Sequence, residues 1–286
     1  MTLINYPPCP GAGRAARKYR FAESPPLWVG PLVACLDRRT LAERLWEGAE
    51  KCEKSRAEGV GGTSIRVAAD AAPVRKVITG RKIFPTGTYS SEKCGRSHQY
   101  EGMNEHAAAE FMEADPGVAS YAAQAVAFLT VISGRPVRYT ADFVRLLVDG
   151  RLQVLEVKSQ RASIRNPKYI HKLKVVRATC EALGWEFIVV EGRTLRASNV
   201  FNLNIAFVVR RRFAAVPTAL AMVVQRHIAR NGGSVELGEL IDLCAPGPLG
   251  LELVCALIYR GVLRVDFRYP LTRETRVEHN SGIGGR

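Results

Sequence analysis

Apolar positions along this chain change their period several times, and each change marks an element. Over residues 37–57 the spacing of Leu41, Leu45, Ala49 and Cys52, with charges between them, predicts an amphipathic helix ended by the glycines at 59–62. Residues 1–30, rich in Pro, Gly and Arg, predict an irregular arm. Between Gly62 and Cys94 the pattern is mixed, with Val74, Val77, Ile78, Ile83 and Phe84 marking short strands. A helix is expected over 103–114, stopped by Asp115-Pro116-Gly117. One or two strands follow over 118–133. Residues 139–148 and 151–158 then read as a strand pair around Asp149-Gly150. Residues 166–183 are helical and stopped by Gly184, and the apolar run 185–190 is a buried strand. Helix, antiparallel hairpin, crossover helix and buried strand together predict an α/β fold, a mixed sheet flanked by helices.

Arg210-Arg211-Arg212 marks a second boundary. Beyond it, residues 217–231, 235–244 and 249–260 read as helices, and 262–267 with 273–279 as a strand pair. Three helices and a two-stranded wing predict a C-terminal winged-helix-like domain. Its third helix is largely apolar, with few groups able to reach base edges, which favours docking of a protein over reading of a DNA sequence. The domain expectation is an N-terminal extension over 1–94 with no assigned role, a core domain over 95–209, and the winged module over 215–280.

Charge alters this picture. The 286 residues carry a net +14, which points to a polyanion, with nucleic acid the default partner. Between Lys158 and Arg212 twelve Lys and Arg stand against three Glu, and the bland alternative is a solvated basic surface. Seven scattered cysteines contain no C-x-x-C pair, so reduced thiols are expected rather than a zinc ribbon or a disulfide framework. The first residues lack a signal-peptide layout, and the apolar stretch near 118–132 is too short and too interrupted to span a bilayer. The expectation is a cytoplasmic protein with no membrane partner.

Candidate chemistry gathers at Glu105, Asp142 and Glu156-Val157-Lys158. On a helix Glu105 shares a face with Ala108, Ala109 and Met112, so its carboxylate points inward, where an unpaired charge is costly. A divalent metal shared with Asp142 and Glu156 would compensate it; a buried arginine is the alternative, and Glu101 is the competitor for the role. Register makes a sharper demand. A two-residue turn at Asp149-Gly150 would pair Asp142 with Val157 and send Glu156 and Lys158 to the other face. A three-residue loop Asp149-Gly150-Arg151, or a bulge, would instead set Asp142 opposite Lys158 with Glu156 beside them, and such an irregularity is expected. The hard oxygen ligands Glu105, Asp142 and Glu156 suit Mg²⁺, with Mn²⁺ able to substitute. The carbonyl of Val157 is a further candidate ligand, and Lys158 would stabilise phosphoryl charge or orient a water.

Asp142 followed by Glu156-x-Lys158 resembles the PD-(D/E)xK core of restriction-endonuclease-like enzymes. Gly95-Arg96-Ser97-His98, Asn104-Glu105, Asp115-Pro116-x-Val118, Gln124 and Tyr139-Thr140-x-Asp142-Phe143 fall in the order found in TnsA, the endonuclease subunit of heteromeric transposases. The resemblance covers about residues 95–192; some members carry Gln at the position of Glu156. It implies a restriction-endonuclease-like fold and cleavage of double-stranded DNA at the 5′ ends of a mobile element. The partners it implies are a DDE transposase subunit of TnsB type and an AAA+ ATPase regulator of TnsC type, the latter engaged by the C-terminal domain. Gln124 is then either a group bonded to a metal ligand or a structural one. Arg96 and His98 either grip a phosphate or anchor the loop, and Arg161, Lys168 and Lys172 are candidate DNA-backbone contacts. The rival expectations are a stand-alone nuclease of a restriction, repair or phage-defence system, and a non-enzymatic DNA-binding scaffold.

Overall fold

A computed structural model describes residues 40–59, 61–75, 85–160 and 164–280. Contacts divide the chain into two units, with the boundary between Arg196 and Ala197. In the first unit, α1 (Leu41–Ala57) opens with a capping box in which Thr40 and Glu43 satisfy each other's backbone. Then come β1 (Ser64–Val67), β2 (Thr86–Ser91), β3 (Arg96–Glu101), α2 (Met103–Ala114), β4 (Val118–Ala123), β5 (Val126–Ile132), β6 (Arg135–Thr140), β7 (Phe143–Leu147), β8 (Leu152–Lys158), α3 (Pro167–Ala182), β9 (Glu186–Glu191) and the short α4 (Gly192–Leu195).

The central sheet has the order β4-β7-β8-β9, antiparallel except for the parallel pair β8–β9 that α3 connects. Alternation along its strands sends Val144, Leu146, Leu152, Val154, Phe187 and Val189 to one face, where they share a core with Leu45 and Cys52 of α1 and Leu173, Val176 and Cys180 of α3. Gly48 lets α1 approach, since a Cβ there would stand 2.1 Å from the Trp185 ring. Contacts of α2 with β4 and β8 come from the other side, so the unit is a mixed α/β architecture with a central sheet flanked by helices.

The segment 139–148, expected as one strand, is two. β4–β5 and β6–β7 form a long hairpin closed by Ser133-Gly134, both at positive φ, a two-residue turn that matches strand twist. That hairpin is broken at Gln124 on one arm and at Ala141-Asp142 on the other. Beyond the break, β5–β6 pairs with β1 in a separate three-stranded sheet, order β1-β5-β6. Within the stretch expected as an extension, α1 and β1 belong to the first unit's core and sheets. The expected strand positions Val77, Ile78, Ile83 and Phe84 lie outside the described residues.

The second unit contains α5 (Val200–Val209), α6 (Thr218–Arg230), β10 (Ser234–Glu236), α7 (Leu237–Cys244), α8 (Pro248–Tyr259), β11 (Leu263–Arg264) and β12 (Arg276–His279). Two expectations are corrected here. Residues 200–209 cluster with this unit rather than with the first. Residues 234–236 form a strand rather than a helical turn, so the sheet has three strands, in the order β10-β12-β11. The alternation of Val235 inward with polar neighbours is too short to outvote the helix that follows it. Among the described residues no single helix is long and apolar enough to cross a membrane.

Candidate functional site

The β7–β8 connection is a three-residue loop, Val148-Asp149-Gly150, bounded by Leu147 N–H to the Arg151 carbonyl at 2.9 Å and Gly150 N–H to the Leu147 carbonyl at 3.0 Å. Gly150 takes φ +85°, the left-handed residue such loops need. The loop therefore has the expected length but begins one residue earlier than expected. Its register pairs Phe143 with Leu155, so the next step sets Asp142 across from Glu156, not Lys158. The parity survives: Asp142, Glu156 and Lys158 all project from one face.

The ladder ends at this step. Regular pairing would next join Val157 to Ala141, but Ala141 N–H donates to the Val126 carbonyl at 3.2 Å, because β6 has turned away to its own sheet. Asp142 Oδ2 takes the vacated place, accepting the Val157 N–H at 2.7 Å. In a strand the N–H and C=O of one residue face the same edge, so the Val157 carbonyl also faces the Asp142 side.

Glu156 is 3% exposed. Its Oε2 accepts the Tyr139 hydroxyl, and its Oε1 accepts the Tyr169 hydroxyl and lies against the Lys158 ammonium. Burial, and then the Glu156 charge, push both tyrosines above the ordinary phenol range, so both remain protonated donors. Burial works to lower the Lys158 ammonium, but Glu156 and Asp142 outweigh it and hold its pKa above that of ordinary lysine. Lys172, a candidate DNA contact, lies half-buried over the Tyr169 and Tyr139 rings, 4.6 and 5.4 Å from their centroids. Its pKa is lowered by burial, partly offset by Glu156.

Glu105 enters from the first turn of α2, as the face argument required. Asn104 Nδ2 donates to Ser159 Oγ at 2.9 Å, tying that turn to the end of β8. Gly192 permits the approach, since a Cβ there would stand 2.4 Å from the Asn104 side chain. Glu105 Oε2 accepts the Glu101 N–H at 2.8 Å. Burial, then the Glu101 and Glu156 charges, overcome that bond and raise Glu105 to about 7. Glu101 itself ends β3 rather than lying on the helix, and pairs with Arg75 at 3.4 Å. Asp142 is pushed well above the usual carboxylate range by burial, then by Glu156 and Glu105.

These shifts mean that three carboxylates at one end of the sheet feel one another's charge. Each is also engaged by protein donors, and among the described residues no three His, Cys, Asp or Glu side chains stand together as a ready-made metal cage. The donor set, three carboxylates and an edge carbonyl, is the hard-oxygen kind that suits Mg²⁺, and the raised pKa values of Glu105 and Asp142 are what a nearby cation would relieve.

The remaining expected residues are dispersed. Arg96 donates to the carbonyls of Asp70 and Ala71, which is the loop-anchoring alternative. His98 is 4% exposed and packs on Tyr121, with its pKa lowered by burial to about 4, so its neutral ring is turned away from any phosphate outside. Lys168 is exposed in the first turn of α3; Arg161 lies outside the described residues. Gln124 is fully buried at φ +52°, its backbone N–H donating to the Asp142 carbonyl at 2.9 Å and neither side-chain amide atom having a partner among the described residues. Positive φ and an unpaired buried amide both carry an energetic cost at this position next to Asp142.

Sequence reasoning missed Tyr139 and Tyr169 as partners of Glu156. Tyr139 alternates inward from β6 as any core aromatic would, and only its contact with β8 distinguishes it. In the second unit, the apolar side chains of α8 from Leu253 to Ile258 are buried in that unit's own core, so their character reflects packing rather than docking. Exposed apolar residues lie elsewhere, at Leu203, Phe213, Met222, Val223 and Leu249. A groove of about 580 Å³ is lined by Leu203, Ala206, Phe207, Arg210, Arg211 and Glu252.

No family model matches the sequence, and no curated protein is similar to it. Among solved structures, the chain resembles protein VC1899 from Vibrio cholerae, with 13% identity over 55% of this chain and a TM-score of 0.21. The chain spans about half of that protein, 49% of its length. A likeness at this level bears on neither fold nor activity.

Proposed function

We propose that the protein is a metal-dependent DNA endonuclease of restriction-endonuclease-like fold, acting as the TnsA-type subunit of a heteromeric transposase. The observation that carries the reading is the meeting of Asp142, Glu156 and Lys158 on one face of the β7–β8 hairpin, with Glu105 in electrostatic contact with that pair of carboxylates. Glu105, Asp142, Glu156 and the Val157 carbonyl would hold Mg²⁺ or Mn²⁺. When bound, the ion would supply Lewis-acid polarisation of the phosphodiester and a more acidic water.

The chain's own groups do the rest. The Val157 amide fixes Asp142, and the Tyr139 and Tyr169 hydroxyls fix Glu156. Lys158 carries a full positive charge at neutral pH and would stabilise charge developing on a phosphoryl oxygen. Exposed Lys168, in the first turn of α3 and next to Tyr169, offers a backbone phosphate a contact beside this site.

From α6 onward the second unit's element order, helix, strand, two helices and two strands, supports a winged-helix reading. Its exposed apolar residues support docking of proteins there, with the AAA+ regulator and the DDE transposase as the implied partners. The test is nicking of supercoiled DNA with Mg²⁺, by the full chain alone and with the transposase. Cleavage only in the joint reaction, abolished by Asp142→Ala, is the expected result. Cleavage by the isolated chain would favour a stand-alone nuclease. The carboxylates' engagement with protein donors favours a second reading, a non-enzymatic DNA-binding scaffold, and absence of any Asp142-dependent cleavage would select it.

A further inference from the structure

The Glu156 carboxylate carries more protein contacts than a metal ligand needs, and their distribution is uneven. A carboxylate offers about four acceptor positions, two on each oxygen. Oε1 takes two donors, the Tyr169 hydroxyl and the Lys158 ammonium. Oε2 takes one, the Tyr139 hydroxyl. One acceptor position therefore remains, on the oxygen that Tyr139 holds. Two hydroxyls from different elements, one on each oxygen, also fix the plane of the group; either alone would leave it free to rotate.

Tyr169 and Lys172 are one turn apart on α3, so they share a side of the helix. Lys172 lies 4.6 Å from the Tyr169 ring centroid, and Lys158 lies 5.2 Å from the same ring. Two ammonium groups packed against one ring hold it in place. The ring in turn delivers its hydroxyl to Oε1.

We propose that Tyr169 is a positioning residue for Glu156: it commits Oε1 to Lys158 and leaves the free position on Oε2 for a divalent cation shared with Asp142. The proposal rests on the metal-dependent reading above. Donors behind a metal ligand set its orientation, and their loss costs about 10–100-fold in metal affinity or activity. Tyr169→Phe removes the hydroxyl while keeping the ring under Lys158 and Lys172.

The experiment measures Mn²⁺ binding to the DNA-free full chain by electron paramagnetic resonance, with thermal melting of the same samples and Mg²⁺ titration of nicking in the complete reaction. Four proteins are compared: wild type, Tyr169→Phe, Lys172→Met and Asp142→Asn. Tyr169→Phe is expected to weaken Mn²⁺ binding about tenfold and to raise the Mg²⁺ half-saturation in parallel, with little change in melting temperature. Lys172→Met, which keeps the hydroxyl, is expected to change Mn²⁺ binding by less than the Phe variant. A lower melting temperature with unchanged Mn²⁺ affinity would overturn the proposal and leave Tyr169 a packing residue. Wild type that binds no Mn²⁺, or Asp142→Asn that binds as wild type does, would overturn the metal-dependent reading itself.

Discussion

Two groups of buried charges lie against the same four-stranded sheet, and they are balanced differently. On one face, Arg145 of β7 and Gln153 of β8 are register partners, joined at 2.6 Å, and Arg145 stands 3.9 Å from Asp115. Nearby, Glu113 accepts from the Ser91 hydroxyl, the Glu92 and Lys93 amides and the Tyr121 hydroxyl, and Lys93 caps the end of α2 by donating to the Met112 carbonyl at 2.8 Å. Two carboxylates meet two cations there. On the other face, at the end of the sheet, Asp142 and Glu156 are in electrostatic contact with each other and with Glu105, which reaches them from α2, and Lys158 is the ammonium bonded to one of them. Compensated charge inside a protein holds elements together, whereas uncompensated charge of one sign is tolerated where it is used.

The largest expected effect breaks the balanced group. Arg145→Met strands Asp115 in the interior and should cost about 3–5 kcal/mol, read as a lower urea midpoint. Asp142→Asn should do the reverse: it removes one of three like charges, keeps an oxygen for the Val157 amide, and should raise stability by about 1 kcal/mol while abolishing cleavage. A loss of stability in Asp142→Asn would show that the site is a structural cluster like its counterpart.

Next in size is the pH dependence, which differs in sign. Glu105 has its pKa raised in the folded state from 4.5 to about 7. The native state therefore holds a proton that the unfolded state has released, and stability falls as pH rises across that window. Lys93 is lowered from 10.5 to about 8, mainly by burial. The unfolded state then holds the extra proton, and stability rises with pH between those values. Glu105→Gln should remove the first slope and Lys93→Met the second, in denaturation series from pH 4 to 10.5. Unchanged slopes would place the titrations elsewhere.

The smallest effect compares two hydroxyls. Tyr121→Phe leaves Glu113 three donors and should cost about 0.5–1.5 kcal/mol with cleavage intact. Tyr139→Phe should have a similar cost in stability but lower cleavage by about tenfold. Equal loss of cleavage in both would erase the distinction between the two faces.

Much of this was legible before folding. The helix over 103–114 stands where its apolar period and Asp115-Pro116 placed it, and β8, α3 and β9 lie within two residues of expectation. The demand for an odd-length loop at Asp149-Gly150 was readable because strand parity is a property of counting. The location of that loop was not, since Val148 fits a strand end or a loop equally well by its side chain. His98 was misplaced for a related reason: an imidazole beside arginine and serine reads as polar surface, and only the Tyr121 ring behind it makes it interior. Tyr139, Arg145 and Gln153 alternate along their strands without any sign of what lies across from them.

Sequence alone therefore determined which stretches are helix or strand, and which side chains share a face, because backbone periodicity is local and needs no partner. Tertiary structure decided where the hairpin bends, which donor reaches which carboxylate, and which charges are matched. Those depend on contacts between segments far apart in the chain, as when the turn of β6 away from β8 opens the ladder step that the Asp142 carboxylate fills.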